Sequence, residues 1–196
     1  MDIEKLSKEL YEDLNGRITA VDYAAELVIT FQCDDWNDYD VTRKFRITCH
    51  GVKESEVQPS SSGSLEFTGE HQLLWNHNEP HGYLYYSSKT ENRHEILGRL
   101  WETHEIIFGG WRSLTDYANT YRTGQLIEFC KGANGQLAHG PKPLLEAYEH
   151  ALVGKIKTNY VFSYQPEGGY KALVFDSCFV ICRSVEVEEI SSLQTA

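Results

Sequence analysis

The sequence predicts an α+β fold, a mostly antiparallel, curved sheet of about 6–8 strands with three or four helices packed on it. Three observations lead there. Two runs alternate with period two across a short polar loop, at Leu27–Cys33 and Val41–Cys49. Other stretches carry apolar residues at helical spacing, near the N-terminus, at 97–108 and at 144–152. Helix, strands, helices and strands then follow in an order that hairpins explain, without the strand–helix alternation of a parallel sheet.

The first helix covers residues 2–14, where Ile3, Leu6, Leu10, Tyr11 and Leu14 share a face and Asn15-Gly16 stops it. From Arg17 to Cys33 the period changes to two, clearest at Leu27, Ile29, Phe31 and Cys33. After a loop at 34–40, Val41, Arg43, Phe45, Ile47 and Cys49 alternate in turn, and the two runs read as a hairpin. Residues 52–63, with three consecutive serines, read as a mobile loop, and Leu65–Thr68 as a short strand.

Residues 71–111 hold five of the eight histidines and three of the four tryptophans. Glu79-Pro80-His81-Gly82 has the proline and glycine placement of a type I turn. As the tip of a hairpin it brings Trp75 near Tyr86 and His77 near Leu84. Ser88-Lys89-Thr90-Glu91 fits a capping box, and Leu97, Leu100, Trp101, His104 and Phe108 form the apolar stripe of the helix behind it. Gly109-Gly110 ends that helix.

Ser113–Asp116 opens a further short helix, residues 124–131 fit helix or strand, and Lys131–Gly135 is a turn. Pro141 and Pro143 introduce a helix carrying Leu144, Leu145, Tyr148, Ala151 and Leu152, ended by Gly154. Tyr160, Phe162 and Tyr164 alternate and are expected to pair with Tyr170, Ala172 and Val174 across Gln165–Gly169. Cys178–Val187 continues extended, and residues 191–196 read as a frayed tail.

The 196 residues fit a single domain, and a 41% hydrophobic, 12% aromatic composition supports a real core. No apolar run approaches the roughly 18 residues that span a bilayer. The N-terminal stretch carries acids where a secretory leader has a basic then apolar region, so a cytoplasmic protein is expected. A net charge of −11 argues against nucleic acid or an anionic membrane as partner and is compatible with a basic protein. The five cysteines follow no ligand or disulfide spacing and read as buried thiols.

The constellations that carry chemistry are weak. On one strand His71 and His77 stand about 20 Å apart, too far to share an ion. Glu91 and His94 have the i, i+3 spacing of carboxylate-bridged helix bundles, but no second copy exists, and HExxH does not occur. Cys49 and His50 are adjacent on a strand and face opposite sides, Cys178 and Cys182 stand ~13 Å apart, and no nucleophile elbow is present. Gly132–Gly135 matches no phosphate-binding loop, and the acids at 34–40 lack the glycine and glutamate of a calcium loop. No catalytic residue, metal or cofactor is expected.

Two functional readings follow. In the first, Asp34, Asp35, Asp38 and Asp40 steer a basic protein partner and Trp36 anchors it, in a non-enzymatic protein of inhibitor or immunity type. In the second, a small-molecule pocket between sheet and helices, in a binding protein or an unfamiliar enzyme, is lined by Trp75, His77, Tyr86, Trp101 and His104.

Overall fold

The fold is described from a computed structural model, over residues 3–10, 14–119 and 129–194. It is α+β, and its strands all pair antiparallel, but in three sheets of five, four and three strands rather than one curved sheet. By internal contacts the chain divides into two compact units, Met1–Leu74 with Gly169–Ala196, and Trp75–Gly168.

In the first unit, β1 (Arg17–Tyr23), β2 (Leu27–Asp34) and β3 (Val41–His50) form a meander. The β2–β3 hairpin is the one expected, with Phe31 opposite Phe45 and Leu27 opposite Cys49. β12 (Ser184–Gln194) adds to β3, and β5 (Ser60–Ser61) closes the other end of this sheet. The second sheet has the order β4 (Glu54–Glu56), β11 (Phe179–Cys182), β10 (Lys171–Phe175), β6 (Leu65–Thr68). Alternation places Ile29, Phe31, Phe45 and Ile47 in one buried core with Leu173, Phe175 and Val180, as in a sandwich. α1 (Ile3–Glu9) adds Ile3 and Leu6 to that core, and its Ser7 hydroxyl donates to the Leu65 carbonyl at 2.5 Å.

Several expectations for this unit are corrected. The helix is shorter than residues 2–14, and Tyr11 lies outside the described residues. Residues 52–63 are not all loop, because Glu54–Glu56 pairs with β11 and Ser60–Ser61 with β1. Asp176 ties down the stretch that follows, accepting from the Gly63 amide at 2.7 Å and from the Ser64 hydroxyl. The last strand runs through Gln194, paired with Val41, where a frayed tail from 191 was expected.

The second unit is a three-stranded sheet, β8 (Gly135–Pro141), β7 (His81–Tyr86), β9 (Thr158–Tyr164), with α3 (Arg93–Phe108) and α4 (Lys142–Ala151) on one face. Leu84 and Ala138 meet Ile96, Leu100 and Phe108 of α3 and Leu144, Leu145 and Tyr148 of α4 in a second core. Residues 71–77 are not the first arm of a hairpin. Gln72–Leu74 is 3-10 helix and Trp75–Asn78 a turn of α-helix, labelled α2. The apolar residues at 73 and 75 fit either period over so short a run. β9 pairs with β7, not with 170–174, because β10 is taken by β6 and β11.

Helix α3 starts later than expected, with Asn92 rather than Ser88 as its cap: the Asn92 side chain accepts from the Glu95 amide at 3.1 Å. Its buried face is Ile96, Leu100, His104 and Phe108. Gly109, at φ 52°, ends it as its sequence requires. Of the ambiguous stretch 124–131, residues 124–128 lie outside the described residues.

Candidate functional site

The five residues of the acidic-aromatic tip are drawn largely into the structure of the tip. Asp35 accepts from the Asn37 amide at 2.8 Å and stands 3.6 Å from Arg43, while Asp38 accepts from the Asp40 amide at 3.1 Å. Asp34 accepts from the Asn15 side-chain amide at 2.7 Å. Trp36 is half-buried against the first core, with the Arg43 guanidinium 4.0 Å from its ring centroid. Asp38, Tyr39 and Asp40 remain exposed at the end of the loop.

The five residues of the expected pocket lie in different settings among the described residues, from fully buried to exposed. His104 is fully buried, with Nδ1 2.8 Å from the Tyr148 hydroxyl and Nε2 2.8 Å from the Arg112 carbonyl. Trp75 packs edge-on against Phe108, and Tyr86 is buried in the same core. His77 lies half-buried on α2, and Trp101, 57% exposed, lies off the buried face of α3. Shifting the helix face by one position, from 97/101 to 96/100, is enough to turn Trp101 outward.

A different concave site is present at one end of the three-stranded sheet, where β7 begins and β8 and β9 end, with a volume of about 350 Å³. Strand alternation builds it. Leu84 and Tyr86 face the helices, so His81, Tyr83 and Tyr85 face out. His139 on β8 is paired with Tyr83, and Tyr164 on β9 with His81, so the two imidazoles and the Tyr164 ring lie on one surface. The Tyr164 ring stacks on His81 at 4.8 Å between centroids. Arg112 and Asp116, from the segment after α3, complete the wall with Asn76 and Tyr117.

The floor is Gly140, at φ 141°, where a Cβ would come within 2.7 Å of the Tyr117 ring. Tyr117 is held by the Asn76 side-chain amide, which donates to its hydroxyl at 2.7 Å. A side chain at Gly140 would displace that ring.

His81 has a defined protonation pattern. Its Nε2 lies 3.1 Å from the Asn76 carbonyl, which only accepts, so Nε2 carries the hydrogen. Burial first, and then the neighbouring His77 and His139, hold its pKa below the ordinary histidine value, against the opposing pull of that carbonyl. The neutral ring is thereby favoured over the charged one, with the hydrogen on Nε2 and a lone pair on Nδ1. The site thus offers a permanent cation at Arg112, a carboxylate at Asp116, an imidazole acceptor and a phenol.

Local sequence signals do not reach this site. His81 reads as a turn residue and His139 as part of an unassigned segment after a glycine-rich turn. The one usable cue was the His81–Tyr83–Tyr85 alternation, which puts three polar-tipped rings on a single face. Among the described residues, no group of three or more His, Cys, Asp or Glu is placed to hold a metal ion. No helix among them is long and apolar enough to cross a membrane.

No protein-family model, curated protein or solved structure matches this chain.

Proposed function

We propose that residues 75–168 form a binding unit for a small polar molecule carrying an anionic oxygen, held in the cleft between His81, His139 and Arg112. The observation that supports this most is convergence. Four separate segments, at 76–81, 112–117, 139–140 and 164, contribute polar or aromatic groups to one concavity of about 350 Å³. That volume and mixture of rings with a few directed polar groups suit a small ligand. Arg112 supplies the charge, the neutral His81 ring accepts a hydrogen bond through Nδ1, and Tyr164 offers a ring edge for a planar part of the ligand. The protein binds without transforming its ligand in this reading, and we place it in the cytoplasm, where an acidic chain with five reduced thiols is at home.

The test is a thermal-shift screen of small carboxylates and phosphate esters, followed by calorimetry on any hit with His139→Ala and Arg112→Gln. A hit whose affinity falls about tenfold or more in both variants supports the cleft. A hit unaffected by either variant, or a screen without any hit, removes it.

A second reading keeps the acidic tip as a docking surface for a basic protein, favoured by the exposed run Asp38, Tyr39, Asp40 at its end. The 56% exposed ring of Tyr39, rather than the half-buried Trp36, is the anchor in this reading. Tyr39→Ala with Asp38→Asn would weaken binding to such a partner. The net charge of −11 sets nucleic acid aside in both readings.

A further inference from the structure

At one corner of the first unit two strand pairs meet, and the chain changes sheet there twice. β3 pairs with β12 as far as His50 opposite Ser184, and β4 then pairs with β11, Glu54 opposite Ile181. Gly51, at φ 62°, makes the turn between β3 and β4, a conformation that suits glycine. Backbone bonds close the corner from both sides. The Arg183 amide donates to the His50 carbonyl at 2.9 Å, and the Lys53 amide to the Ile181 carbonyl at 2.8 Å.

Two thiols stand inside this corner. Cys49 is the last core-facing residue of β3 and Cys182 the last residue of β11. Both are buried in the first core, and they are hydrogen-bonded to each other. The other cysteines are placed apart, Cys33 opposite Arg43, Cys178 beside the Ser60 hydroxyl at 3.6 Å, and Cys130 in the second unit. Cys49 also lines a concavity of about 340 Å³, between the β1–β2 turn at residues 23–27 and Gly51 with Val52. A small molecule in that concavity meets the pair from the Cys49 side.

We infer that Cys49 and Cys182 are an oxidisable pair that closes to a disulfide on reaction with a small hydroperoxide, joining the two segments of the first unit that precede and follow residues 75–168. The reaction takes two steps. The Cys49 sulfur attacks one peroxide oxygen, the O–O bond breaks, and the thiol proton leaves with the other oxygen as water, which makes a sulfenic acid. The Cys182 sulfur then attacks that of Cys49. The S–S bond forms, the S–O bond breaks, and the departing hydroxyl takes the Cys182 proton as a second water. The two thiols lose two electrons and the peroxide gains them. In the reduced pair the hydrogen bond from Cys49, opposed by burial, lowers the Cys182 pKa, which suits Cys182 to the attacking role in the second step. The pair lies in the first unit and does not depend on the cleft at His81.

The experiment exposes the reduced, folded full chain to excess hydrogen peroxide, removes the peroxide with catalase, and alkylates the remaining thiols in denaturant. Trypsin cuts at Arg46, Lys53 and Arg183, and chymotrypsin at Phe179 separates Cys178 from Cys182, so mass spectrometry assigns any linked peptides. Two of the five thiols should disappear, in a peptide pair that joins Cys49 to Cys182 and that dithiothreitol releases. Cys49→Ser, its fold checked by circular dichroism, should keep its remaining thiols under the same exposure. Cys182→Ser should stop at a Cys49 sulfenic acid, which dimedone traps. The wild-type digest decides alone if either variant fails to fold. Five thiols left free, a different linked pair, or Cys49 carried to the sulfinic acid without a link overturns the inference.

Discussion

The guanidinium of Arg43 lies over the Trp36 ring and grips Glu189 across the β3–β12 pair, with Nε to Oε1 at 2.9 Å and Nη2 to Oε2 at 2.7 Å. One buried cation thereby joins the hairpin tip to the last strand, and Phe45 lies beneath it at 4.9 Å. The opposed charges hold Arg43 above and Glu189 below their ordinary pKa values, chiefly through this hydrogen-bonded fork.

Replacing Glu189 with Gln breaks the fork while keeping its shape. The expected loss is about 1–2 kcal/mol, reduced from that of a buried pair because the Glu189 carboxylate is partly solvated. Arg43→Lys should cost at least as much and shift Trp36 emission, since an ammonium neither forks nor stacks as a guanidinium does. Urea denaturation followed by tryptophan fluorescence reads both.

His50 gives the first unit an identifiable pH dependence. Its Nδ1 is 2.6 Å from Glu26 and its Nε2 3.6 Å from Glu186, and the Glu26 hydrogen bond first, with the charge of both carboxylates, raises its pKa. The protonated ring is favoured by folding. Its contribution is fully present below the unfolded histidine value of about 6.5 and is lost as pH rises through the higher folded value. The difference in melting temperature between wild type and His50→Gln should therefore shrink as pH rises above about 6.5.

Glu95 has the opposite sign. Lys155 at 2.6 Å, and then Arg99 at 3.1 Å, hold its carboxyl below the ordinary range. Its contribution is present above the unfolded glutamate value of about 4.3 and is lost as pH falls through the depressed folded value. In Glu95→Gln the acid limb of the melting-temperature profile should flatten relative to wild type.

His104 ties α3 to α4 and to the segment after α3 through two hydrogen bonds, to the Tyr148 hydroxyl and the Arg112 carbonyl. Removing its ring in His104→Ala leaves the buried Tyr148 hydroxyl and the Arg112 carbonyl without it and opens a cavity beside Phe108 and Tyr117. A loss of about 3–5 kcal/mol is expected. Tyr148→Phe should cost about 1–2 kcal/mol, and equal losses in the two variants would contradict the assignment.

All five cysteines are free and buried. Burial raises the Cys33 thiol to about 11 and the Cys130 thiol to about 12, while its hydrogen bond with Cys182, followed by burial, raises Cys49. A thiol-reactive disulfide reagent should label the native protein slowly and all five sites promptly in denaturant. Rapid labelling of the native protein would show that a cysteine is accessible.

The β2–β3 hairpin and α4 were legible because each repeats one period over a whole element, in Leu27–Cys33 and in Leu144–Leu152. Residues 71–77 were not, because an alternation of three residues is also what two short helical turns display. β8 was hidden by Gly135, Gly140 and Pro141, residues that punctuate loops unless a neighbouring strand covers them. The cleft depends on pairings of β7 with both β8 and β9, partners remote in sequence, so its histidines met only in three dimensions. The acidic tip was visible by composition, but the use of Trp36 by Arg43 depends on side-chain packing.

The antiparallel partnership of Thr68 with Ala172 has a consequence for synthesis. As the chain emerges, β6 waits for about a hundred residues before its partner strand exists, whereas everything from Trp75 to Gly168 is already complete. The interrupted unit must therefore keep its half-built hydrophobic strands soluble while the inserted one closes. Its assembly carries the larger loop-closure entropy and should be the slower phase of refolding. A nascent chain halted before β10 would hold a finished insert on an unfinished host.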